Sequence, residues 1–402
     1  MEKVLDYSKK MNIIIYGMLV LYSFLFVYIS YNTICFVTGS IIVFLIIGGD
    51  IKKIPFDVSI IFLAQAMITK IYYGAFFAEG IEKVDVNMAI CPILVYLFGI
   101  IIVQWADYSD SRVLKYYFCL MGGLAINCAF YYTSERLGRN HNWINIINNN
   151  ITGESYALLL ESMVLGFNAA LLYFVIFWKR KKIIYSVCIM FSILLQVLMI
   201  LKYRRYNAYI LALTLGALII YCIFYILKRK NRSTLNMIIV TLLMGIFVLL
   251  LVEICFKLDI FNIKTYYYNS FWGADGGIFH NLRYKNIIEA INHLYTDPTS
   301  GFVIMSNNLN TSFNMWLEYA MNYGIYVFGF LLIFFCLSIY NFVKMLINPN
   351  VDVSIKCVLG MAFLAYNIFY FFESFARSFI HIWLWGLFVN GMIRAYSTLQ
   401  SN

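Results

Sequence analysis

The chain of 402 residues reads as all-α: a polytopic integral membrane protein of about twelve transmembrane helices, with one large outer (periplasmic) loop holding a short amphipathic helix. Three observations predict this. Hydrophobic residues make up 62% and charged residues 12%, with a mean hydropathy of +0.78, whereas a soluble domain carries roughly 45–50% apolar and about 25% charged residues. The apolar residues gather into runs near the length a bilayer needs, about 20 residues each. Aromatic residues reach 19%, with 33 Tyr, 35 Phe and 7 Trp, which suits long water–lipid boundaries.

The spans fall near 12–30, 33–49, 57–78, 88–105, 113–133, 156–178, 183–200, 207–227, 235–256, 313–340, 357–375 and 378–395. The first follows Lys3, Lys9 and Lys10 and lacks a small-residue cleavage site, so it reads as a retained anchor. The whole of 1–402 is then a single transmembrane domain, with no internal repeat or low-complexity tract. All nine cysteines lie inside apolar runs and read as small buried hydrophobes rather than a disulfide framework.

Orientation follows from the basic residues. With a cytoplasmic N-terminus, Lys52–Lys53, Arg112, the run 179–182, the run 228–230 with Arg232, and Lys344 with Lys356 all fall inside. Counting also Lys3, Lys9, Lys10, Lys115 and Arg394, this places 18 of the 30 Lys and Arg inside and both termini in the cytoplasm. The net charge of +10 is thereby spent on topology and the lipid surface, not on nucleic acid.

Two outer loops stand out, at 134–155 and 257–312. Within the second, residues 279–295 carry Leu282, Tyr284, Ile287, Ile288, Ile291 and Leu294 at helical spacing, with Asn286, Glu289 and His293 on the opposite face. Gly276–Gly277 precedes this stretch and Asp297-Pro298-Thr299-Ser300-Gly301 stops it. An amphipathic helix on or near the outer membrane surface is expected.

Ionisable groups within spans are costly and mark pathways or sites. Lys70, Glu161, Glu253, Glu318, Glu373, Arg377 and His381 all fall in or beside outer halves, while inner halves hold almost none beyond their basic margins. A transporter needs polar groups along its route or at the midplane, so a working site should open outward. Each group has a plain alternative. Lys70 also fits a side chain snorkelling to headgroups, Glu373 with Arg377 a structural ion pair, and His381 a packing residue.

Arg204, Arg205 and Arg283 break the positive-inside trend. Guanidinium groups clamp pyrophosphate through forked hydrogen bonds, and Arg377 joins them as a fourth candidate. His280, His293, Glu289 and Glu318 are candidates for a base, since glycosyl transfer removes a proton from the attacking hydroxyl. No metal-ligand spacing, phosphate loop or nucleophile elbow is present, so neither metal nor cofactor is expected.

The layout resembles the O-antigen polymerase (Wzy-type) and O-antigen ligase superfamily of bacterial surface-polysaccharide assembly. The likeness is architectural over most of the chain and sharpens over 283–329. There, Arg283 is followed by Ile287-Ile288-Glu289-Ala290-Ile291, Asp297-Pro298 and Ser300-Gly301. Then come Ser312-Phe313-Asn314-Met315-Trp316-Leu317-Glu318, Gly324-Ile325 and Gly329. Phe313 stands where ligase-like members carry His.

The resemblance implies a metal-independent membrane glycosyltransferase on the outer face of the cytoplasmic membrane. It would move a growing glycan from undecaprenyl pyrophosphate onto a lipid-linked repeat unit. Its implied partners are the undecaprenyl-pyrophosphate-linked oligosaccharide, membrane lipids and a chain-length regulator protein. Arg204, Arg205 and Arg283 would hold the pyrophosphate, and His280, His293 or Glu318 would take the proton. A flippase of lipid-linked oligosaccharide and a ligase of the same superfamily are the alternatives.

Overall fold

The computed structural model describes residues 2–26, 31–48, 57–76, 86–136, 257–258, 282–296, 298–299, 314–372 and 380–399. Among them the regular structure is entirely helical: α1 (Glu2–Leu25), α2 (Tyr31–Gly48), α3 (Val58–Phe76), α4 (Val86–Trp105), α5 (Asp110–Arg136), α6 (Leu282–Thr296), α7 (Met315–Ile347), α8 (Val353–Phe372) and α9 (Ile380–Ser397). Eight of the expected spans coincide with these helices, and the amphipathic stretch is α6. The expected spans at 156–178, 183–200, 207–227 and 235–256 lie outside the described residues, as do most of both long loops.

Hydropathy and helix ends differ where backbone chemistry rather than apolarity decides. The stretch 313–340 becomes a helix running to Ile347, because Pro349 disfavours helical backbone at the residue before it. Asn348 is accordingly extended (φ −60°, ψ 116°) and its side-chain amide donates to the carbonyls of Tyr396 and Leu399. α5 likewise continues to Arg136, three residues into the stretch assigned to the loop.

One described helix, α7, is long and apolar enough to cross a membrane by length and composition. Only 28% of its most apolar window is buried, where the core helix of a soluble protein would be mostly covered. The same holds on other helices, where Ile13, Phe36 and Ile47 are 67%, 75% and 80% exposed. Among the described residues, large apolar side chains lie on the outside of several helices.

The helices pack in pairs: α4 on α9, α1 on α5, α3 on α7, and α2 on α4. Two of these crossings are set by glycine. A Cβ on Gly99 of α4 would strike the carbonyl oxygen of Phe388, and one on Gly391 of α9 would strike that of Tyr96. A Cβ on Gly123 of α5 would meet the Val20 carbonyl of α1. Small residues that let backbones approach are the usual device where surrounding solvent offers no hydrophobic drive between helices. Aromatic rings fill the remaining space, as in Phe98 against Phe388 at 5.2 Å and Phe342 stacked on Phe363 at 4.5 Å.

At one end of the bundle a buried polar network ties four helices together. Asp57 caps α3, its Oδ1 accepting from the Ser59 amide at 3.0 Å. The same carboxylate pairs with Arg394 Nε of α9 at 3.1 Å and accepts from the Tyr96 hydroxyl of α4. Arg394 also donates to Asn341 Oδ1 of α7 at 3.1 Å, and Ser397 donates to the same oxygen at 3.3 Å. Sequence reasoning expected inner halves to hold almost no ionisable groups beyond their basic margins, and Asp57 and Arg394 are margin residues of their spans. What the sequence does not show is that they pair across helices, because single residues scattered over four segments carry no local pattern.

Breaking a buried pair from one side strands a charge, at a cost of about 3–5 kcal/mol, whereas removing both partners is far milder. Arg394→Met should therefore lower the detergent melting temperature sharply, and adding Asp57→Asn, which keeps the cap, should recover much of the loss. Equal losses in single and double variants would contradict the pairing. Gly99→Leu should abolish a monodisperse folded peak in detergent size-exclusion chromatography. Gly17→Leu, with nothing within 4 Å of an added Cβ, should leave the peak intact.

Candidate functional site

The opposite end of the α3–α7 pair holds the second buried ionic group. Lys70 lies 13 residues along α3 from Asp57, roughly 20 Å at 1.5 Å per residue. It is only 2% exposed. Its Nζ stands 4.8 Å from the ring centre of Tyr323 and 5.2 Å from that of Tyr319. Its charge also acts with that of Glu318, 1% exposed one residue before Tyr319. The snorkelling alternative for Lys70 is thus replaced: the ammonium turns inward onto two aromatic faces, within the field of the Glu318 carboxylate.

The start of α7 presents three faces to make this arrangement. Asn314 caps the helix, its side-chain oxygen accepting from the Leu317 amide at 3.1 Å while its amide donates to the Phe371 carbonyl of α8. Glu318 then sits in the first turn, where a carboxylate is favoured by the helix dipole. Leu317 and Met321 pack on Ala290 of α6. Tyr319 and Tyr323 face Lys70 of α3, and Tyr319 also packs on Trp383 of α9 at 5.6 Å. Glu318 and Asn322, four residues apart and both buried, share the stripe between.

Gly324 ends this first segment of α7. Its φ of 78° and ψ of 172° lie in a region essentially restricted to glycine, so the helix breaks and restarts. The Ile325 amide, released from the helical ladder, donates to the Pro298 carbonyl at 3.0 Å. The turn that the sequence marks as stopping α6 is thereby fixed onto the kink of α7.

α6 packs on α7 through Ala290. Asn286 is fully buried, and Glu289 and His293 are half-buried, while Ile288 (39%), Ile291 (47%) and Tyr295 (90%) are exposed. Ile287 and Leu294 are half-buried like Glu289 and His293, and Lys285 and Asn292 are exposed beside Ile288, Ile291 and Tyr295, so the outward face is mixed with a strong apolar share.

Of the residues singled out in the sequence, Glu318 joins the Lys70 cluster and His293 lies half-buried on the helix packed beside it. Arg283 occupies the first turn of α6. His280, Arg204, Arg205 and Arg377 lie outside the described residues, as does Phe313. Asn322, Tyr319 and Tyr323 were not anticipated. Their signal was available in the Glu-Tyr and Asn-Tyr steps four residues apart in an otherwise apolar span. Among the described residues no group of His, Cys, Asp or Glu is arranged to hold a metal ion.

No family model matches the chain, and neither a curated protein nor a solved structure matches it at a significant level. What the site can do therefore rests on its own chemistry: a cation held against aromatic rings, a buried carboxylate, and a half-buried imidazole on an adjoining helix.

Gly324→Ala should strain the kink by about 1–3 kcal/mol. The melting temperature in detergent should fall, and the 298–325 contact should loosen, read as faster amide exchange at Ile325. An unchanged exchange rate would show that the kink does not depend on glycine.

Proposed function

We propose that the protein is a membrane-embedded glycosyltransferase of about twelve spans. It would polymerise surface-polysaccharide repeat units on undecaprenyl pyrophosphate at the outer face of the cytoplasmic membrane, with both termini inside. The observation that carries this reading is the buried Lys70–Glu318–Tyr319–Tyr323 cluster beneath an amphipathic helix, at the end of the bundle that basic-residue topology assigns to the outside. The exposed apolar side chains support the membrane setting. The run from Arg283 to Gly329, with its resemblance to the polymerase and ligase superfamily, supports the chemistry.

In this reading the hydroxyl at the non-reducing end of one lipid-linked unit attacks the anomeric carbon of the growing glycan. The bond from that carbon to pyrophosphate breaks, and undecaprenyl pyrophosphate leaves with the electron pair. Arg283, with Arg204, Arg205 and Arg377, binds the pyrophosphate and stabilises its developing charge. Of the described base candidates His293 is the better suited, an imidazole only half-buried on the helix packed beside the cluster. Glu318, buried beside Lys70, serves to position α7 rather than to take protons. The exposed Ile288, Ile291 and Tyr295 of α6 suit the lipid end of such a substrate.

A second reading is a transporter of lipid-linked oligosaccharide. It is favoured by the Asp57–Arg394–Asn341 network, which supplies polar groups at the inner end.

Deleting the gene and displaying surface polysaccharide on a gel separates the two. The polymerase reading predicts acceptors carrying a single repeat unit, whereas total loss of glycan would favour the transporter. Arg283→Ala should reduce elongation about 10²–10³-fold and His293→Ala about 10²-fold or more, with membrane insertion retained. Lys70→Met should also cut chain length at normal expression. Wild-type ladders in all three would overturn the assignment.

A further inference from the structure

Away from this site, α2 and α4 cross through a ladder of polar and sulfur contacts near their N-termini. Asn87 donates from its side-chain amide to Asn32 Oδ1 at 2.7 Å. One turn on, the Cys35 thiol donates to the Asn87 backbone carbonyl at 3.3 Å. That carbonyl is the one four residues before Cys91, so the Cys35 sulfur lies against the turn of α4 that carries Cys91. The two side chains interact across the crossing. A further turn along, Thr38 meets the Tyr22 hydroxyl at 2.7 Å, which fixes the register on the other side. Cys91 is fully buried and Cys35 partly exposed.

We propose that Cys35 and Cys91 are a redox pair that closes in the cell to a disulfide joining α2 to α4. The proposal rests on the orientation given above, in which both helices begin at the outer face, where thiols are oxidised. The partly exposed Cys35, as thiolate, attacks a disulfide of an extracytoplasmic thiol oxidant and expels one thiol. Cys91 then attacks the mixed disulfide and expels the second. Two thiols of the protein become one disulfide, and the oxidant's disulfide becomes two thiols carrying both protons and both electrons. The Cys35 thiol already reaches the turn of α4 that carries Cys91, the adjacency that bridging requires. Once closed, the bond would hold the α2–α4 crossing against separation, and α4 is the helix that also contacts α9 and α3.

The test is peptide mapping of the full chain from cells quenched in acid and alkylated with N-ethylmaleimide. The expected result is a linked pair of peptides containing Cys35 and Cys91, separated by reductant and absent in Cys35→Ser, while Cys336 is alkylated throughout. A parallel arm treats isolated membranes with diamide. Reduced thiols in cells that link under diamide overturn the proposal and fault the outward orientation. Thiols that stay apart in both arms overturn it on geometry and leave the orientation untouched. Neither arm reads glycan elongation, so the polymerase reading stands or falls separately.

Discussion

The Asp57–Arg394 pair is the constraint from which the rest of the arrangement follows. A carboxylate and a guanidinium enclosed among helices are tolerable only when paired and hydrogen-bonded, and here the backbone of Ser59 and the hydroxyl of Tyr96 donate to the carboxylate while the amide oxygen of Asn341 accepts from the guanidinium. Those partners belong to α3, α4, α7 and α9. Satisfying one charge pair therefore fixes the relative height of four helices. In the proposed membrane setting this matters more than it would in water, because burial of apolar side chains between helices gives little discrimination between registers.

Register at one end determines what meets at the other. With α3 and α7 pinned at Ser59 and Asn341, Lys70 comes level with Tyr319 and Tyr323. The kink at Gly324 then separates the short segment carrying Glu318, Tyr319, Asn322 and Tyr323 from the long remainder of α7. The kink also exposes the Ile325 amide to the turn after α6, and Ala290 of that helix packs on Leu317 and Met321 of the same segment. The candidate site is thus assembled from a cap, a break and a register. The glycine crossings of α4 with α9 and of α1 with α5 keep the frame tight enough to hold it.

Much of the secondary structure was legible because apolar run length and helix length share a cause. The runs 33–49 and 88–105 emerged as Tyr31–Gly48 and Val86–Trp105, and the periodic stretch 279–295 as Leu282–Thr296. Ends were less legible where capping chemistry took over, as at Asn348–Pro349. Glu318 and His293 were recognisable as chemically unusual, yet no local pattern reveals that Lys70 turns inward, since an interfacial lysine has the same neighbours in sequence. Asp57 and Arg394 were invisible for a related reason. Each looks like a margin residue until the partner helix is placed beside it. Gly99 and Gly391 differ from the exposed Gly17 only in what faces them.

If this frame serves glycan polymerisation, the protein alone should suffice for elongation, because the proposed reaction needs only its substrate, a base and cationic groups. The most direct measurement is reconstitution of the purified chain in liposomes with an undecaprenyl-pyrophosphate-linked repeat unit. Products would be resolved by length after release from the lipid. The account predicts chains of two or more units together with free undecaprenyl pyrophosphate, and no such products from the Arg283→Ala variant. Recovery of the unit unchanged in length, whether left in place or moved across the bilayer, would contradict it.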